Sequence, residues 1–232
     1  MDLTNKQLNN LFKLPPDKAI EYLESLGVVI TSNWLDLLED ARGRAFSITG
    51  VMREDILKDA KAIITRGVTE GKTFNSIKDE FRSRMQAKGW DASTYRLKTI
   101  YRVNADLAYQ HGRYTEQESM KSFAPYWQYV AVIDANTRPE HAALNGKVFR
   151  ADDPIWDTIY PPNGFNCRCY VRSYTEARLK RKGLKVESSA GKLKDTTVEI
   201  GGKKIKTKAY DGVVIAPGWD FNIGKNFEKV KK

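Results

Sequence analysis

Cysteine and histidine are the scarcest chemistry-bearing residues of this 232-residue sequence, two of each: Cys167, Cys169, His111 and His141. One residue separates the cysteines, so a mutual disulfide would close a very small, strained ring, and a disulfide-stapled scaffold is excluded. Long apolar runs are missing too. No stretch approaches the roughly 18 to 20 uninterrupted apolar residues that a bilayer span needs, so no membrane partner is expected. The start, Met1-Asp2-Leu3-Thr4, has neither a basic n-region nor an apolar h-region, which reads as a cytoplasmic chain without a secretory signal. The P-loop, G-x-G-x-x-G, G-x-S-x-G and H-E-x-x-H signatures are all absent. Neither an internal repeat nor a low-complexity segment occurs.

What is present begins with a usable core. Hydrophobic residues make up 41% of the chain and are spread along it, enough for one good core and a smaller helical one. Charge is the second feature, a net +10 that is unevenly placed. From Tyr174 onward there are 15 Lys/Arg against 7 Asp/Glu, whereas the preceding residues hold 24 against 22. A basic C-terminal part neutralises phosphates and releases counterions, which gives sequence-independent affinity for nucleic acid. The candidate DNA-contacting residues are Arg178, Lys180, Arg181, Lys182 and Lys185, then Lys203, Lys204, Lys206 and Lys208. The same charge also suits a merely solvated face.

Apolar periodicity predicts a helical N-terminal region. Leu14-Pro15-Pro16-Asp17 opens a helix carrying Ile20, Leu23 and Leu26 that stops at Gly27. Ser32 or Asn33 caps a second, with Trp34, Leu37, Leu38, Ala41 and Ala45. A third runs from about Met52 to Gly71, and Thr73 caps a fourth striped by Phe74, Ile77, Phe81 and Met85. After the Gly89-Trp90-Asp91 break a long helix spans about Thr94 to Met120. The pattern then changes: residues 126–133, rich in aromatic and β-branched side chains, read as a strand buried on both faces. Further strands are expected at Lys147 to Phe149 and Cys169 to Tyr174, and Gly201-Gly202 suits the two-residue turn of a hairpin around Val198 to Ile205. The expected fold class is α+β: a helical region over 1–90, a mixed core over 91–182, and a basic hairpin and tail over 183–232.

The most informative stretch lies between Asp134 and Cys169. It holds Asp134-Ala135-Asn136-Thr137-Arg138-Pro139-Glu140-His141, then Leu144-Asn145-Gly146, then Trp156, then Tyr160-Pro161-Pro162-Asn163-Gly164-Phe165-Asn166-Cys167-Arg168-Cys169. In these residues the chain resembles the phage Mu protein F family of head morphogenesis proteins, whose motifs include D-x-x-T-R-x-x-H, a following L-x-G, and P-P-x-G-x-x-C-R-C. The resemblance extends upstream through Arg102, Asn104 and Tyr109, and more weakly to Pro15 through Ile20 and Ala216 through Gly224. It implies a minor capsid protein, not an enzyme, present in few copies at the portal vertex and acting in head assembly or DNA packaging and delivery. The implied partners are the portal protein, other head proteins and non-specific double-stranded DNA. The implied location is the host cytoplasm during assembly and then the virion. Some members continue into toxin-like C-terminal domains, and no such effector is expected here.

The motif residues also have a physical reading. Asp134, Thr137, Arg138 and His141 fall at intervals of three, one and three, so a turn or short helix through Pro139 gathers them on one side. Cys167 and Cys169 are two positions apart, so on an extended segment their sulfurs face the same way. One reading is a tetrahedral zinc site of His141, Cys167 and Cys169, with Asp134 or His111 as a fourth ligand. The other is a structural network: buried free cysteines, an Asp134–Arg138 ion pair, and His141 bonded to a backbone group to lock the Pro-Pro-Asn-Gly loop, with Gly146, Trp156, Pro161, Pro162, Gly164 and Arg168 as further motif positions. Two catalytic readings stand beside these: His141 with Cys167 as base and thiol nucleophile, and His141 with Glu140 and Asp134 as a metal-dependent nuclease centre. An independent nucleic-acid-binding module is the alternative outside a capsid.

Overall fold

A computed structural model describes residues 16–33 and 45–228. It is an α+β fold that divides into two compact units, residues 1–113 with 226–232, and residues 114–225. The division falls inside the long helix, beyond the Gly89-Trp90-Asp91 break.

In the first unit, α1 (Pro16–Ser25) is followed by the strands β1 (Gly27–Val28) and β2 (Ala45–Phe46), which pair in parallel. Ala45, expected on a helix, is therefore in a strand, where it pairs with Gly27; the rest of that expected helix, residues 34–44, lies outside the described residues. Helix α2 (Glu54–Thr69) carries Glu54 and Asp55 in its first turn, where the helix dipole favours acids, and buries Ile56, Leu57, Ala60, Ile63, Ile64 and Val68. Helix α3 (Phe74–Ala87) buries Phe74, Ile77, Phe81 and Met85. Thr73 holds the N-cap position, but its side chain makes no cap bond; its carbonyl instead accepts from the Ser76 N–H and hydroxyl. Ion pairs between Arg84 and Asp59 (2.8 Å) and between Lys88 and Asp55 (3.2 Å) join α2 to α3. Helix α4 (Thr94–Ser119) then follows.

The second unit is built on strand β3 (Tyr126–Val130), which lies between β5 (Tyr170–Tyr174) and β4 (Val148–Arg150), antiparallel to both; β6 (Val186–Glu187) adds in parallel to β4. The strand is shorter than the sequence suggests, and it buries one face. Trp127 and Tyr129 point inward while Tyr126, Gln128 and Val130 are half-buried, and Ile133 beyond the strand end is exposed. Around the sheet run the short helices α5 (Pro139–Leu144), α6 (Trp156–Ile159) and α7 (Glu176–Arg181). Strands β7 (Leu193–Ile200) and β8 (Lys203–Tyr210) form the expected hairpin, longer than its sequence signal, with β9 (Val213–Val214) on its edge. Gly201 and Gly202 have φ of 58° and 76°, the positive values that a two-residue turn matched to strand twist requires. Helix α8 (Ile223–Glu228) completes the described chain.

The core of this unit is aromatic. Trp127 is fully buried and meets Tyr114, Trp156 and Tyr160 edge-on at centroid distances of 6.0, 5.6 and 6.0 Å. Such T-shaped pairs set the positive edge of one ring against the negative face of another, adding about 0.5–1.5 kcal/mol each to area burial. Two polar side chains thread the same core. Gln117 donates to the Val171 carbonyl at 2.9 Å and accepts from the Tyr160 hydroxyl at 2.7 Å. Asn222 donates to the Trp156 carbonyl at 2.9 Å and accepts from the Gly224 N–H at 2.9 Å. Gly224 is obligatory, because a Cβ there would lie 1.9 Å from Cδ1 of Tyr114. The Asn222-Ile223-Gly224 end of the family resemblance thus has a packing reason. Trp127→Ala is expected to destabilise this unit by about 3–5 kcal/mol, whereas Tyr95→Ala, at a 74% exposed ring, should stay within about 0.5 kcal/mol; urea unfolding of the two variants checks both.

Candidate metal centre

The motif segment folds as a sequence of local closures. Asp134 opens a turn: its N–H donates to the Thr137 hydroxyl at 2.8 Å, its carboxylate accepts from the Asn136 N–H at 2.9 Å, and the Thr137 hydroxyl donates to the Val132 carbonyl at 2.6 Å. Pro139 then starts α5 at the position where a missing N–H costs nothing, and His141 and Leu144 are the buried residues of that helix. At its end Asn145 accepts from the Ala131 N–H and the Gly146 N–H donates to the Tyr129 carbonyl, both at 2.9 Å, returning the chain to β3.

The second half of the motif comes back onto the first. The Arg138 guanidinium donates to the Phe165 carbonyl at 2.6 Å and packs on Gly164, where a Cβ would meet it at 3.1 Å. Asn163 is buried and accepts from the Tyr129 hydroxyl at 3.0 Å. The Pro161-Pro162 peptide is cis, and Asn166 has φ 56°. Beyond it the chain passes through Cys167 and Cys169 into β5, with both thiols close to the imidazole of His141. Cys169 Sγ lies 3.2 Å and Cys167 Sγ 3.8 Å from His141 Nδ1. All three side chains are buried, at 4% exposure for His141, 7% for Cys167 and 3% for Cys169. His141 Nε2 is buried without a hydrogen-bond partner, a cost of about 1–3 kcal/mol for such a group.

Several expected placements differ from the observed ones. The Asp134 carboxylate is in the hands of Arg168, which binds it through both terminal nitrogens, one at 2.6 Å, so Asp134 is neither a partner of Arg138 nor a member of the sulfur–imidazole cluster. The physical reason is alternation: with Cys167 and Cys169 turned inward, the intervening Arg168 turns out toward the Asp134 turn. His141 bonds to sulfur where a backbone partner was expected. His111 belongs to the first unit, where it stacks on Tyr22 at 4.9 Å and meets Phe227 edge-on at 4.5 Å. Trp156 donates from its indole to the Arg150 carbonyl at 2.9 Å and sits in the aromatic core. Sequence reasoning misses Tyr129 and Asn163; the signal available was an amide set between a Pro-Pro pair and a glycine.

Burial dominates the electrostatics of the cluster. Burial, followed by the neighbouring Cys169, pushes the Cys167 thiol well above its ordinary value against a smaller opposing pull from His141; an activated cysteine is shifted the other way. Burial and then the two cysteines likewise raise the Tyr129 phenol. Arg168, together with the Asn136 N–H, holds the Asp134 carboxyl well below the usual carboxylate range.

The basic residues are on other elements of the same unit. Arg178, Lys180 and Arg181 are on α7, with Lys182 and Lys185 after it, all exposed; Lys180 pairs with Glu176 at 2.7 Å and Arg178 lies 5.3 Å over the Tyr174 ring. On the hairpin, the register sets Lys204 opposite Glu199 and Lys208 opposite Asp195, while Lys203 faces Ile200 and Lys206 faces Thr197. Among the described residues, no helix is long and apolar enough to cross a membrane.

With the motif closed on itself in this way, comparison with known proteins defines the class. A family model described as "Phage Mu protein F like protein" matches residues 58–172, and the chain belongs to the Mu protein F-like family. It is 39% identical over 240 residues to the "Putative capsid assembly protein F" of Escherichia phage Mu, covering 91% of this chain and 55% of that protein. It is 35% identical over 219 residues to the "Mu-like prophage FluMu F protein" of Haemophilus influenzae, covering 84% of this chain and 53% of that one. The chain therefore spans about half the length of the curated relatives it matches. No solved structure matches it.

The Asp134–Arg168 pair makes a signed prediction. A carboxyl depressed in the folded state contributes stability that is complete above its unfolded value, about 3.9, and is lost as pH falls through the folded one. Asp134→Asn should therefore lower the urea midpoint at pH 7, and its deficit relative to the parent should shrink progressively below about pH 4; a deficit of equal size at pH 7 and pH 2 would refute the ion pair as its cause.

Proposed function

We propose that this chain acts in phage head morphogenesis, as a minor head component beside the portal that also contacts DNA. The observation carrying this reading is the match to a capsid assembly protein over 91% of the chain at 39% identity. A structural rather than catalytic role also agrees with the motif chemistry. Its polar residues are engaged in closing turns, and the candidate nucleophile Cys167 is buried.

DNA contact would fall to the residues whose charge is least compensated. Lys203 and Lys206 have Ile200 and Thr197 as cross-strand neighbours, whereas Lys204 and Lys208 have acids opposite them. Arg181 and Lys182 at the end of α7 are exposed. Binding of this kind is non-specific and steeply salt-dependent.

Two measurements test the proposal. Deleting the coding sequence from the phage or prophage genome that carries it should sharply reduce infectious particles and leave aberrant or empty heads, restored by complementation; normal particles would overturn the assembly role. Purified protein should capture the portal protein of the same phage and bind duplex DNA with a salt slope that falls by about 1.8 in Lys203→Ala/Lys206→Ala. DNA binding without portal capture would instead identify an independent nucleic-acid-binding module, and a slope unchanged by the double substitution would remove the hairpin from the DNA interface.

A further inference from the structure

We infer that His141, Cys167 and Cys169 form a zinc site, with coordination through His141 Nδ1 and the two thiolates and with water completing the tetrahedron. Three features of the cluster argue for an ion between these groups over a hydrogen-bonded trio.

The first is valence. His141 Nδ1 has a single in-plane lone pair, yet two sulfurs converge on it, at 3.2 and 3.8 Å. One S–H donor satisfies that lone pair, and the contact left between the two thiols is a weak sulfur–sulfur one. The second is size. Zinc–nitrogen and zinc–sulfur bonds of about 2.0 and 2.3 Å at tetrahedral angles place nitrogen and sulfur about 3.5 Å apart. The two observed separations bracket that edge, and all three ligand atoms lie within 4.8 Å of one another. The third is charge. Two thiolates, a neutral imidazole and one Zn²⁺ sum to zero, so the loaded cluster can occupy a site where every ligand is at most 7% exposed. Binding displaces two thiol protons to solvent and changes no oxidation state.

The donor set also selects the metal. Two thiolates and an imidazole suit zinc and disfavour magnesium and calcium, which take oxygen ligands. The neighbouring carboxylate that would extend the set, Asp134, is held by Arg168. The ion would staple α5 to the segment entering β5, elements 26 to 28 residues apart in the chain, and the Tyr129 hydroxyl bonded to Asn163 braces the same corner. This inference does not depend on the head-assembly role, and its test needs no phage.

The test is metal content of the full chain, purified under reducing conditions without chelator and then reconstituted with zinc and desalted. About one zinc per chain is expected by elemental analysis, together with a lowered melting temperature after chelation. Cys167→Ser, Cys169→Ser and His141→Gln should each lose most of the metal, and Asp134→Asn should keep it. Cobalt substitution of the parent protein gives a readout that does not rely on any variant folding: intense visible bands with thiolate-to-metal charge transfer are expected. Near-zero zinc after reconstitution, or a weak octahedral cobalt spectrum without thiolate bands, would overturn the site. Zinc retained by the two cysteine variants would do the same, and loss of metal in Asp134→Asn would overturn the ligand set.

Discussion

The pleat of one five-residue strand organises the second unit. Strand β3 is paired on both edges, so its backbone is fixed, and alternation then sends Trp127 and Tyr129 to the same side. Trp127 enters the aromatic core with Tyr114, Trp156 and Tyr160, while Tyr129 reaches Asn163 and the cysteines. Core and candidate centre are therefore held by adjacent inward positions of one strand. A one-residue slip in register would turn both rings outward at once.

The family motif is easier to understand as a closure than as a set of reactive groups. Its first half makes a turn and a one-and-a-half-turn helix, and its second half returns across it. Two guanidiniums stitch the halves in opposite directions: Arg138 of the first reaches the Phe165 carbonyl, and Arg168 of the second reaches the Asp134 carboxylate. Planar guanidinium groups suit this task because one side chain spans several fixed acceptor geometries. Between these stitches sit the imidazole and two sulfurs, buried and mutually close. Such ties between distant segments stiffen a unit that has few long elements to provide stiffness by other means.

Charge is arranged with comparable economy. The basic excess after Tyr174 is divided between α7 and the β7–β8 hairpin, and the hairpin register neutralises part of it internally. The sequence excess therefore overstates what the hairpin offers to a partner. Its two faces differ as well: Thr196, Val198, Ile205 and Thr207 share one, half-buried or buried, while Glu199, Lys204 and Lys206 share the exposed other.

Much of this architecture is legible in the amino-acid sequence alone. Helical stripes such as Ile56, Ala60, Ile63 and Ile64 declare α2 because a 3.6-residue period admits one burial geometry, and Gly201-Gly202 declares the hairpin because both positions need positive φ. The α+β class and the convergence of Cys167 and Cys169 follow from equally local rules. What local rules do not supply is pairing at long range. Whether Asp134 takes Arg138 or Arg168, whether His141 faces a carbonyl or a sulfur, and which hairpin lysines meet an acid all depend on which segments return to the same place. Periodicity encodes which face of an element is buried; only tertiary structure decides what that face is buried against, because the partner lies tens of residues away and is chosen by the packing of the whole unit.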